Sequence, residues 1–88
     1  MKLGDRLIGD RGALRVILEV QGDDIAVTLY DMAAKNPIGR VLGTEVAPIE
    51  HNFLQAKERA VILIARELNA HTDEEFDRIR KDIVWRAP

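Results

Sequence analysis

Eighty-eight residues, 47% apolar and 32% charged, suit one globular domain around a single core and exclude a disordered chain. Cysteine is absent, which excludes disulfides, thiolate metal sites and a cysteine nucleophile, and leans toward a cytoplasmic protein. The net charge of −2 divides as four basic and three acidic side chains in residues 1–20, two and five in 21–50, and seven of each in 51–88. No segment is the basic tail expected of a nucleic-acid binder.

Residues 1–12 carry charges throughout, without an apolar block of signal-peptide length, and no stretch approaches the ~20 apolar residues of a membrane span. No membrane association is expected. Two similar tripeptides, Gly4-Asp5-Arg6 and Gly9-Asp10-Arg11, open the chain. Glycine and aspartate favour turns, so residues 1–12 read as an irregular arm with Leu7-Ile8 extended between two bends. The single α+β domain is then residues 13–88.

Residues 13–20 read as a strand, because Leu14, Val16, Leu18 and Val20 alternate with Arg15, Ile17 and Glu19. Gln21-Gly22-Asp23-Asp24 is a turn, and residues 25–32 form the second arm of a hairpin. Ala34-Lys35-Asn36-Pro37 breaks the pattern, since proline lacks an N–H and restricts the residue before it. A third strand covers residues 38–46. Gly39 and Gly43 share one of its faces, which predicts a neighbouring side chain lying close over that backbone.

After Pro48 a long helix is expected over residues 50–69, with Asn69 suited to the left-handed cap conformation. Phe53, Ala60, Val61, Ile64 and Leu68 fall on its apolar side, facing Leu14, Val16, Leu18, Val27 and Leu29 of the sheet. The run Ala60-Val61-Ile62-Leu63-Ile64-Ala65 is too broad for one face, because a helix turns about 100° per residue. Ile62 and Leu63 are the misfits. Either the next helix or a second copy of the chain is expected to cover them.

Thr72-Asp73-Glu74-Glu75 has the spacing of a capping box, with acidic groups at the positive end of the helix dipole. The helix it starts carries one apolar stripe, Phe76, Ile79 and Ile83, and Trp85 follows as a docking anchor. The expected fold is therefore α+β: a three-stranded antiparallel meander, a long helix on one face and a shorter C-terminal helix, βββαα.

No residue pattern points to catalysis, a cofactor or a metal. His51 and His71 stand ~30 Å apart along the expected helix, too far to share an ion. Glu50 with His51, and Asp23 with Asp24, sit where turns and helix ends favour such residues. Serine is absent.

Two binding readings follow. The favoured one is a non-enzymatic protein-interaction module, an adaptor, inhibitor or regulatory subunit, expected to form a homodimer or to bind a larger protein. Its candidate interface residues are Ile17, Tyr30, Met32, Ile62, Leu63 and Trp85. The alternative is nucleic-acid binding through Arg6, Arg11, Arg15, Arg40, Lys57 and Arg59. The βββα order and Gln55-Ala56-Lys57-Glu58-Arg59-Ala60 loosely resemble the later part of a double-stranded-RNA-binding domain, over barely half of the chain. Glu58 interrupts the basic turn that the resemblance implies, Val61-Ile62 replaces a second lysine cluster, and the glycine-rich arm supplies no preceding helix.

Overall fold

The structure, a computed structural model, describes residues 2–33 and 39–88. The expected break at Ala34-Lys35-Asn36-Pro37, and Ile38 at the start of the expected third strand, lie outside the described residues. Strands β1 (Arg6–Arg11), β2 (Leu14–Gln21), β3 (Asp24–Asp31) and β4 (Arg40–Pro48) come first in the chain. A short 3-10 turn (His51–Phe53) then leads into α1 (Leu54–Leu68), α2 (Asp73–Asp82) and a final strand β5 (Val84–Arg86).

The architecture is α+β with an antiparallel sheet and two helices, as expected, but the sheet is not a three-stranded meander. It has five strands in the order β4-β3-β2-β1-β5. The two additions come from the ends of the chain. The segment read as an irregular arm pairs with β2 from Arg6 opposite Glu19 to Arg11 opposite Leu14, so Gly9-Asp10-Arg11 lies within a strand, not at a bend. Beyond α2, Trp85 pairs with Gly9 and closes the sheet on that side. Both tight turns open on a glycine at positive φ, Gly12 (+59°) and Gly22 (+62°), a conformation that glycine adopts without steric cost.

Alternation then sorts the strands into two faces. Val16, Leu18, Val20, Ile25, Val27 and Leu29 are buried beneath the helices. Of the residues expected in this layer only Leu14 is half-buried. Between Leu29 and Tyr30 the β3–β4 register shifts, with Leu29 opposite Gly43 and Tyr30 opposite Val41. The extra residue, Leu42, packs against the core.

Helix α1 starts four residues later than expected, after Asn52 and Phe53 at positive φ, and ends at Asn69 in the left-handed conformation (φ 56°). It lies over β3 and β4. Ala56, Ala60, Leu63 and Ile64 form the stripe toward the sheet, while Val61 and Ala65 are buried on the flank nearer α2. The broad apolar run therefore serves two neighbours in the same chain. Leu63 sits over β4, its Cδ2 3.1 Å from where a Cβ on Gly43 would stand. This is the close approach that Gly43 predicted. Leu68, expected in the core, is 45% exposed, on the last turn of α1 at the rim of a groove it shares with Ala70 and Ile79.

Helix α2 begins with both halves of the capping box in place. Glu75 N–H donates to Thr72 Oγ1 at 3.1 Å, and Thr72 N–H donates to Glu75 Oε1 at 3.2 Å. Ile79 and Ile83 of its stripe are buried and Phe76 is half-buried. The result is two layers, one sheet and one tier of helices, 19 Å through the thinnest direction. Among the described residues, no helix lies on the other face of the sheet.

Candidate interaction surface

The uncovered face is built by the side chains that alternate with the core. Register places Ile8, Ile17, Thr28 and Thr44 in one cross-strand row, and Asp10, Arg15, Tyr30 and Val41 in the next. Val46, opposite Ala26, and Val84, opposite Asp10, extend the apolar ground to both margins. Val41, Val46 and Val84 are 54%, 60% and 66% exposed, whereas Ile8, Ile17 and Tyr30 are half-buried by their strand neighbours. Ala26 and Thr28 floor a depression of about 300 Å³ between Ile17, Tyr30, Arg6, Glu19 and Gln21.

The arginines on this face are paired within its plane. Arg15 donates to Asp10 through Nε at 2.7 Å and Nη2 at 3.4 Å, and Arg86 Nη2 reaches the same carboxylate at 3.3 Å. Arg6 Nε donates to Glu19 Oε1 at 2.8 Å, and Gln21 Nε2 donates to Glu19 Oε2 at 3.0 Å. The Arg15 hydrogen bond, set against partial burial, holds the Asp10 carboxyl below its ordinary range, and the Arg6 hydrogen bond does the same for Glu19. Both carboxylates are therefore fixed charges at neutral pH rather than proton carriers.

A smaller groove, about 170 Å³, opens on the helix side between Leu54, Lys57, Glu58, Val61, Arg80, Ile83 and Trp85. Its walls are engaged with one another. Arg80 Nε and Nη2 donate to the Glu58 carboxylate at 2.9–3.2 Å, and Lys57 Nζ stands 5.7 Å from the centroid of the Trp85 ring. Trp85 itself packs down on Gly9: a Cβ there would lie 2.6 Å from Trp85 Cζ3 and 2.8 Å from Ile83 Cγ2.

The candidate interface residues separate into distinct places. Ile17 and Tyr30 share the open face, and Met32 stands at its margin, 36% exposed, with Sδ against Gly39. Leu63 is buried against the β4 backbone, so the sheet covers it rather than the next helix or a second copy as expected; Ile62 is half-buried on the outer flank of α1, and Trp85 closes the β1–β5 edge on the helix side. Alternation had to be extended into β1 and β5 before Ile8 and Val84 could be found. Their signal is parity with Ile17 and Tyr30 once Gly9 and Trp85 are known to face inward.

The six candidate cations do not converge. Arg6 and Arg15 are on the open face in the ion pairs above, while Arg11 pairs with Asp82 at 3.3 Å on the helix side. Arg40 starts β4, Lys57 lies by Trp85, and Arg59 is exposed on α1. His71 Nε2 and Asn69 Oδ1 are 3.0 Å apart on the surface, and the Glu50 carboxylate accepts from Gln55 N–H at 3.2 Å. Among the described residues no cluster of three or more His, Asp or Glu could hold a metal ion, and no helix is long and apolar enough to cross a membrane. No protein-family model, curated protein or solved structure matches the chain, so the functional reading rests on this geometry.

Proposed function

We propose that this chain is a small non-enzymatic protein-interaction module, an adaptor, inhibitor or regulatory subunit, working through the uncovered face of its sheet. The observation that carries the reading is the composition of that face. Ile8, Ile17, Tyr30, Val41, Val46 and Val84 present apolar surface across all five strands, among the ion pairs of Arg6, Arg15 and Arg86. Apolar side chains spread over a sheet face that no described helix covers mark association. A partner gains apolar burial there, and the arginines it meets already have carboxylate partners. Nucleic-acid binding has less support, because phosphate recognition draws on convergent cations, whereas these stand at separate places and Arg6, Arg11 and Arg15 are held in ion pairs.

A photoreactive amino acid in place of Thr28, at the centre of the face, tests the reading in the native cells. A matched substitution at Arg59, on the exposed side of α1, is the control. Protein adducts from position 28 in excess of those from position 59 are expected. Adducts from position 59 with none from position 28 would contradict the assignment of the sheet as the working surface.

A further inference from the structure

We infer that the occupant of the open face is a second copy of this chain, docked sheet against sheet, an inference that rests on the reading of that face as the working surface. Area is the first argument. Five strands at about 4.8 Å spacing, four of them six to nine residues long and β5 three, at about 3.3 Å per residue, give a face of about 540 Å². Two such faces together remove about 1,100 Å², just above the ~1,000 Å² that a biological interface should clear. The groove beside Trp85, about 170 Å³, is smaller than the depression of about 300 Å³ on this face.

Charge is the second argument. Arg6, Arg15 and Arg86 are matched in number by Asp10, Glu19 and Asp24 among the residues that alternation assigns to this face. Two identical faces meet without net repulsion, whereas a patch of one sign would oppose its own copy. The ion pairs lie toward the β1–β5 side and Val41, Thr44 and Val46 toward β4. Two copies related by a two-fold axis running across the strands then bring apolar margin onto apolar margin.

Growth through the sheet edges is the competing route to self-association, and both edges are obstructed. On one side the edge strand is β5, whose three residues are too short a template. The β4 edge carries a bulge, ends in Pro48, and has Glu45 tied to Arg66 of α1 at 3.1 Å. These are the devices by which proteins keep edge strands from pairing. Face-to-face packing at the ~10 Å spacing of stacked sheets needs neither edge. The shallow floor of Ala26 and Thr28 admits a side chain the size of Ile17 or Tyr30 from the facing copy.

Sedimentation equilibrium from about 1 to 100 µM tests this on the full chain, with Thr28→Arg and Val46→Lys as variants. The wild type is expected at twice the 9.9 kDa chain mass. Each variant is expected to weaken association by about tenfold or more, with far-UV circular dichroism unchanged. Should Thr28→Arg fail to fold, Val46→Lys decides, since Val46 is 60% exposed in the single chain. A wild type that stays monomeric throughout overturns the second copy as occupant. A dimer indifferent to the folded variants overturns the sheet-to-sheet mode. Photo-adducts of other masses from position 28, alongside a monomeric wild type, would leave the interaction-module reading standing. Absence of any adduct there would remove both.

Discussion

Gly9 is where a single missing side chain does most for this fold. It lets the only tryptophan of the chain lie flat on β1 and so anchors the C-terminal strand. Gly9→Ala should cost about 1–3 kcal/mol by overpacking and shift the Trp85 emission to the red as the ring leaves the core. Urea unfolding followed by tryptophan fluorescence reads both effects, and an unshifted spectrum with unchanged stability would contradict the assigned packing. Asp10, Glu19 and Glu75 make a second prediction. Hydrogen bonds from Arg15, Arg6 and Thr72 respectively are the main cause that lowers these three carboxyls in the folded chain. The stability they contribute is therefore complete above the ordinary values of 3.8 for Asp and 4.5 for Glu, and is lost as pH falls through the lower folded values. Melting temperature should be level from about pH 8 to 5.5 and fall steeply below about pH 4. Asp10→Asn should lower it at neutral pH and flatten the acid limb.

The α2 helix shows how local chemistry becomes legible without any tertiary knowledge. Thr72 and Glu75 specify their own hydrogen bonds through spacing alone, so the capping box could be read directly from the chain. Thr72→Ala should destabilise the protein by about 1 kcal/mol, measured as a shift in the urea midpoint at constant slope. Asn69 and the β2–β3 hairpin were legible for the same reason. Strands β1 and β5 were not. Glycine and charge at positions 9–11 give no alternation to read, and three residues at 84–86 are too few to show a period. Their pairing exists because Gly9 and Trp85 complement one another across about 75 positions of chain, a tertiary fact with no local signal. Leu68 failed in the opposite sense. A helical wheel places it toward the core, but it carries no information about where the supporting layers end.

The candidate surface was half-visible in advance: Ile17, Tyr30 and Met32 follow from β2 and β3, whereas Ile8, Val41, Val46 and Val84 needed the register of five strands. With the described helices on one face, the other is left to water or to a partner, and the proposed function assigns it to a partner. Solvent access at individual methyl groups addresses this most directly. In concentrated solution with a soluble nitroxide, methyls of Ile8, Ile17, Val41 and Val46 should be shielded from paramagnetic broadening and should lose that shielding on dilution. Equal broadening of these methyls at every concentration, both with the chain alone and with its cellular partners added, would contradict the account.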